Sequence, residues 1–398
     1  MNNKFKTSIV ILNGFLGSGK TTLFRNLLTQ SKKKAISVCA IVNDMSYLDV
    51  DGELIASSDF IENNNNLESI HSCVLSSKKG IKKLEEALNK LCLNQNPKMI
   101  IIETSGSCHP MPLVEYFKNN EQFNLKKVYT LVDSLMLSHD FNYGKNLIPQ
   151  MQINITNYKR DIVNLLVEQI MFSSDLILTK TDRIKKEKIA HIVQQIQGIN
   201  PYTSINSISF GNLPIEYLLD SDFYDYDKVN GLIEELKPIL EFESQVEKPY
   251  NLATRVIKDD RPFHPKRLWD VCHQYLDQRI YRSKGFFWLA SRKKDSLLWN
   301  QAAAGINLEL IGIWLSWIIE ENNGNLLDSE IKLIKEKLSK ESGRFGDRHC
   351  ELTVIGDKTQ VDKFTDALKS CFLNDKEIAL WKNDYIFEDP WPKNIVKR

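Results

Sequence analysis

Residues Gly14-Phe15-Leu16-Gly17-Ser18-Gly19-Lys20-Thr21-Thr22 set glycines, a lysine and hydroxyls directly after the apolar run Ile9-Val10-Ile11-Leu12. A loop of this composition between a strand and a helix is suited to holding phosphate. Gly14, Gly17 and Gly19 can take backbone angles closed to other residues. Successive N–H groups then turn inward on an anion at the positive end of the following helix. Lys20 adds a point charge for the terminal phosphates, and the Thr21 hydroxyl is placed to hold a magnesium ion that bridges them.

Two further strings carry compatible chemistry. Ile100-Ile101-Ile102-Glu103-Thr104-Ser105-Gly106 is an apolar strand ending in a carboxylate, with glycine three residues on. At the carboxyl end of a central strand, Glu103 faces magnesium and the terminal phosphate, and Gly106 offers an N–H to the γ-phosphate as a switch. Leu176-Ile177-Leu178-Thr179-Lys180-Thr181-Asp182 resembles the Asn-Lys-x-Asp base-reading loop of GTPases, with Thr179 in place of asparagine. Asp182 can accept both guanine N–H donors, which adenine does not present, while the Lys180 stem covers the base. Thr179 lacks the amide that commonly buttresses the phosphate loop; guanine preference still follows, and the tightness of binding stays open. A P-loop kinase or ATPase, with Asp182 incidental, stays open on these residues.

The elements that must position these groups are legible as alternating patterns. Short apolar runs at Ile36–Val42, Met99–Ile102, Val128–Val132 and Leu176–Leu178 read as strands, and Lys82–Leu93 and Ile162–Ile170 as helices. Such alternation predicts a mainly parallel sheet covered on both faces. Asn63–Asn66 reads as a loop tip. The acidic, proline-ended stretch Glu241–Pro249 marks a linker. The expected division is therefore an α/β P-loop domain at 1–240, a linker at 241–250 and a smaller α+β domain at 251–398. In that second domain Gly285–Ala290 and Cys350–Ile355 read as strands and Leu310–Glu320 as a helix.

At 398 residues the chain is longer than one core usually supports, in keeping with two domains. A net charge of +1 gives no footprint for nucleic acid or an anionic membrane. No stretch has the roughly 18 apolar residues of a membrane span, and the start Met1–Lys6 leaves no room for a signal peptide. The seven cysteines are scattered without a Cys-x-x-Cys pair, which suits reduced thiols. A cytoplasmic protein is expected.

With Val42-Asn43-Asp44-Met45-Ser46 after the second strand, these motifs make the chain resemble the CobW family of metal-trafficking GTPases, closest to its zinc-starvation branch typified by YciC. The second domain continues the resemblance in order with Arg261-Pro262-Phe263-His264-Pro265, Ser283-Lys284-Gly285-Phe286-Phe287-Trp288, Arg344-Phe345-Gly346-Asp347-Arg348 and Phe387-Glu388-Asp389-Pro390. The resemblance implies a SIMIBI-type nucleotide domain joined to a CobW C-terminal domain. It also implies magnesium-dependent GTP hydrolysis coupled to delivery of a zinc-like metal to a client protein. By the same resemblance Gly17, Ser18, Gly19, Lys20, Thr21 and Thr22 hold phosphate, Thr21 and Glu103 serve magnesium and water, and Thr179, Lys180 and Asp182 read guanine. Asp44 and Asp51 fall in the family's first switch. No arginine finger or catalytic glutamine is assignable, so hydrolysis is expected to be slow without a partner.

The chain departs from the family's Cys-x-Cys-Cys metal signature, reading His71-Ser72-Cys73-Val74-Leu75-Ser76-Ser77 at that place. Only Cys73 is kept, and leucine and serine cannot replace soft thiolates. Tyr47 stands where relatives of this branch have glutamate. Ser107-Cys108-His109-Pro110 puts a thiol and an imidazole where relatives have an acidic residue before proline. His71, Cys73, Cys108 and His109 are therefore a candidate replacement site for Zn2+. The family's histidine-rich tract is absent, and His264, His273 and His349 read as structural. The rival expectation is a GTP-regulated switch that grips a client without transferring metal. Client identity and oligomeric state stay open.

Overall fold

A computed structural model describes residues 6–44, 66–71, 73–95, 97–157, 159–231, 233–234, 252–276, 279–302, 305–321, 326–339, 343–393 and 396–397. The chain divides into two compact units, Met1–Asn251 and Leu252–Arg398. Residues 241–250, read as a linker, lie outside the described residues, as do Asn63, Asn64, Asn65, Tyr47 and Asp51.

The first unit is built on a parallel sheet of β1 (Thr7–Gly14), β2 (Val38–Asp44), β3 (Leu67–His71), β4 (Met99–Glu103), β5 (Phe123–Asp133), β6 (Asp175–Thr179) and β7 (Ser204–Ser207). The strand order is β3-β2-β4-β1-β5-β6-β7. Helices α1 (Lys20–Lys33), α2 (Lys78–Gln95), α3 (Met111–Lys118), α4 (Ser134–Asp140), α5 (Leu147–Thr156), α6 (Ile162–Met171), α7 (Lys186–Ile199) and α8 (Glu216–Leu219) connect them. This is the doubly covered sheet of a P-loop NTPase.

The apolar runs are continuous because both faces of the central strands are buried. Ile9 and Ile11 pack with Leu84, Leu88 and Leu113 on one side. Val10 and Leu12 pack with Leu23, Phe24 and Leu27 of α1 on the other. In β1, Ile9 pairs with Ile100 of β4 and with Leu125 of β5, so β1 lies mid-sheet and delivers the glycine loop to the centre of one sheet edge.

The polar strands β3 and β7 were not among the expected elements. Neither carries an apolar run, and each sits at an edge of the sheet, where burial does not impose one.

The second unit carries the sheet order β13-β11-β10-β9-β12-β8. Its strands are β8 (Leu252–Asp259), β9 (Ile280–Phe287), β10 (Asp295–Ala302), β11 (Gly305–Ile313), β12 (Cys350–Asp357) and β13 (Val396–Lys397). Pairing is antiparallel except between β11 and β13. Helices α9 (Pro265–Tyr275), α10 (Leu315–Glu320), α11 (Asp328–Leu338), α12 (Val361–Ser370) and α13 (Asp375–Lys382) complete an α+β unit.

The helix expected over Leu310–Glu320 is corrected here. Leu310 to Ile313 finish β11, Trp314 is extended, and the helix begins at Leu315. A short apolar run of this kind fits strand and helix alike until pairing decides it, and β11 pairs with β10 over its whole length.

The family-type motifs of this unit serve as fixings. Asp347 accepts from the Leu315 and Ser316 N–H groups at 2.7 and 2.9 Å and caps α10. Buried Arg348 makes a forked pair with Glu320 at 2.8 and 2.6 Å. Asp389 holds Arg292 at 2.8 Å, and His264 accepts from the Arg267 N–H as the cap of α9. His273 and His349 each bond a nearby backbone carbonyl, in keeping with structural roles.

Candidate functional site

The glycine loop runs from the end of β1 to the first residue of α1. Gly14, Gly17 and Gly19 have φ of 136°, 75° and 93°, the region L side chains avoid. At Gly14 a Cβ would also stand 2.2 Å from the Leu131 carbonyl oxygen, so strand β5 itself enforces glycine there. Lys20 is buried at the helix start, its ammonium donating to the Gly14 and Phe15 carbonyls at 2.7 and 2.9 Å. Ser18 is fully buried within the loop, while Thr22 faces solvent.

Glu103, at the tip of β4, is nearly enclosed at 4% exposure and accepts from the Thr21 hydroxyl at 2.6 Å. This bond joins two strings 82 residues apart, both read above as serving magnesium. After it the backbone stays against the loop: the Thr104 N–H donates to the Leu12 carbonyl at 3.0 Å, and its hydroxyl to Asn13 at 2.9 Å. Gly106 lies so close that a Cβ would stand 2.6 Å from the Leu16 nitrogen.

Thr179 closes the third side. Its hydroxyl donates to the Ser18 carbonyl at 2.8 Å and lies 3.3 Å from the Val132 carbonyl. The buttress that threonine was expected to lose is supplied by its hydroxyl in place of an amide. Lys180 stands at φ 57° with its ammonium on the Asp133 carboxylate. Asp182 is the middle residue of the short 3-10 turn Thr181–Arg183 and is one-third exposed, beside Arg183. Its carboxylate is therefore accessible to a base.

Several participants were not singled out in the sequence. Asp133 ends β5 as Glu103 ends β4, caps α4 through the Leu135 N–H at 2.9 Å and anchors Lys180. A carboxylate closing an apolar run was the available signal. Asn26 of α1 donates to the Phe210 and Gly211 carbonyls, both at 2.9 Å, fixing the turn after β7 beside the Thr181 loop. Thr181 itself lies 3.5 Å from the Ile208 carbonyl. Asn43 joins three segments: it donates to the Ile70 and Cys73 carbonyls at 3.0 and 2.9 Å and accepts from the Ser105 N–H at 3.3 Å.

The proposed nitrogen and sulfur site is not assembled. Among the described residues no group of three or more His, Cys, Asp or Glu side chains is placed to hold a metal ion. Cys108 is fully buried, and burial pushes its thiol up to about 12, against the opposing effects of Ser76 and Lys20. His109 is committed through both ring nitrogens. Its Nδ1 accepts the Met111 N–H at 3.1 Å, and its Nε2 lies 2.8 Å from Glu168. Burial raises the Glu168 carboxyl, yet His109 and then Arg160 outweigh it and hold the group below the usual carboxylate range. Cys73 is half-buried, and His71 ends β3 beside Asp44, whose side chain lies outside the described residues.

Residues 8–206 match the family described as CobW/HypB/UreG, nucleotide-binding domain, and residues 252–372 match the cobalamin synthesis protein cobW C-terminal domain. Zinc-regulated GTPase metalloprotein activator 1 of Dictyostelium discoideum is 29% identical across 95% of this chain and 82% of its own length. Zinc chaperone CobW of Pseudomonas aeruginosa is 30% identical over 55% of this chain and 61% of its own. Zinc chaperone YjiA of Escherichia coli is 23% identical over 71% of this chain and 82% of its own. Among the described residues no helix is long and apolar enough to cross a membrane.

Proposed function

This chain belongs to the CobW family of P-loop GTPases, and from that premise we propose that it couples GTP hydrolysis at the Gly14–Thr22 loop to handing a zinc-like metal to a client protein. The observation that carries the reading is the 2.6 Å contact of Thr21 with Glu103 at the mouth of a loop also tied to the base-reading strand through Thr179. Residues read for phosphate, for magnesium and for the base are joined by these two hydrogen bonds.

The α1 terminus, Lys20 and the loop N–H groups counter the charge that develops on the transferring phosphoryl group. Gly106 offers its N–H to the third phosphate, and Glu103 helps to order the attacking water. Thr21 and Glu103 are hard oxygen donors of the kind Mg2+ takes; they would hold that ion, which would offset the negative charge of the phosphates. Asp182 gives guanine its preference over adenine by accepting both of its N–H donors. Cys73, tethered through its carbonyl to Asn43, is the thiol left to face a transferred metal.

A second reading is a GTP-driven grip on a client without metal transfer. It is favoured by the commitment of Cys108 and His109 to the core and by the lack of a ligand cluster among the described residues. Titration of the full chain with Zn2+, in GDP and in a non-hydrolysable GTP analogue, separates the two. Tight stoichiometric binding that depends on the nucleotide and is lost in Cys73→Ser supports delivery. Its lack in both nucleotide states supports the grip alone. Competition of ATP against GTP in the same samples checks the base assignment.

A further inference from the structure

The segment that follows Glu103 is held from behind by two adjacent residues of α6. We infer that Glu168 and Gln169 are positioning residues that set the attitude of Gly106, and through it the protein's preference for a nucleoside triphosphate over a diphosphate. This rests on the nucleotide reading above. Helix α6 turns Asn164, Glu168 and Gln169 inward, each fully buried, so it presents a polar stripe to the protein interior. Gln169 Nε2 donates to the Cys108 carbonyl at 3.0 Å and lies 3.4 Å from the Gly106 carbonyl. Its backbone carbonyl is fixed in turn by the Thr130 hydroxyl at 3.0 Å.

The turn that Gln169 grips is closed by the Cys108 N–H on the Ser105 carbonyl at 3.0 Å. That carbonyl shares a peptide plane with the Gly106 N–H, so fixing the turn fixes where this donor points. One residue on, His109 takes the Met111 N–H on Nδ1, which leaves the proton on Nε2 directed at Glu168. Arg160 grips both Glu168 oxygens at 2.6 Å from the other side. The segment is thus pinned in front by Thr21, Leu12 and Asn13 and behind by α6, with Gly106 between.

Gln169 also keeps its Oε1 buried without a hydrogen-bond partner among the described residues. A buried orphan acceptor is costly in a segment with one arrangement only. On the switch role read for Gly106, it is an acceptor ready for a backbone N–H in a second arrangement of the turn, which would let α6 seat both.

The test measures affinities of the full-length chain for GDP and a non-hydrolysable GTP analogue, with kcat and KM for GTP, in Gln169→Met, Glu168→Gln and His109→Asn. The shorter asparagine side chain of the last variant keeps a cap for α3 but does not reach Glu168. GDP affinity should stay within about twofold, while the triphosphate-to-diphosphate ratio and kcat each fall about tenfold, the scale of one misplaced charge-facing donor. His109→Asn combined with Glu168→Gln should lose no more than either alone, because the pair acts as one unit. Unchanged ratios and kcat in Gln169→Met and His109→Asn, with cooperative melting near that of the parent, would reduce these residues to core packing and overturn the inference. The parent and Lys20→Ala, measured alongside, report on the nucleotide site itself, so failure of that assignment is told apart from failure of the seat.

Discussion

At the phosphate loop the chain builds with backbone, while elsewhere in the same unit, at Cys73, Cys108 and His109, it has only side chains to build with. The loop is made by glycines at positive φ and by carbonyls and N–H groups that any sequence carries, so its function depends on a short contiguous string. A thiolate and imidazole centre needs several separate segments to aim particular atoms at one point. Here the same residue types were taken into the core: Cys108 is sealed, and His109 ties α3 to Glu168. A phosphate site can be read from its letters. A metal site can be read only from where its letters meet.

Three substitutions press on that contrast. Lys20→Ala removes the buried ammonium and should lower affinity for GTP and GDP about 100-fold by calorimetry, the scale of charge-assisted contacts worth about 3 kcal/mol. Undiminished binding would mean that phosphate is held elsewhere. Thr179→Val keeps the shape but cuts the tie to Ser18. One lost bond of about 1 kcal/mol should loosen guanine nucleotide about fivefold, whereas no change would return Thr179 to the role of a passive spacer. Cys108→Ala should leave Zn2+ affinity within about twofold in either nucleotide state, since a sealed, protonated thiol is no ligand. A tenfold loss would restore Cys108 to a metal centre and undo the distinction.

The same distinction governs what could be read in advance. Glycine spacing, the strand-end Glu103 and the Thr179–Asp182 string are local patterns, and their strands followed from runs buried on both faces. Asn43 with Ser105, and His109 with Glu168, are joined only by the fold, 62 and 59 residues apart. Helix α6 was legible as a helix through Leu165, Leu166 and Ile170. Its polar residues would ordinarily mark a solvent face, and periodicity could not say that Asn164, Glu168 and Gln169 face inward. The Leu310–Glu320 reading failed for a related reason, because strand pairing with β10 is non-local and outweighs a short apolar pattern.

The mid-sheet position of β1 bears on the order in which the protein can be made. Ribosomal synthesis releases the glycine loop before its partners, since β1 pairs with Ile100 of β4 and Leu125 of β5, and the Thr179 tie to Ser18 spans 161 residues. Loop closures of that length come late and slowly in folding. A nascent chain that has just produced its nucleotide signature has none of the neighbours that give it shape. The loop becomes competent only after partners made later than itself, and until then the apolar strand β1 remains a surface for chaperones to cover.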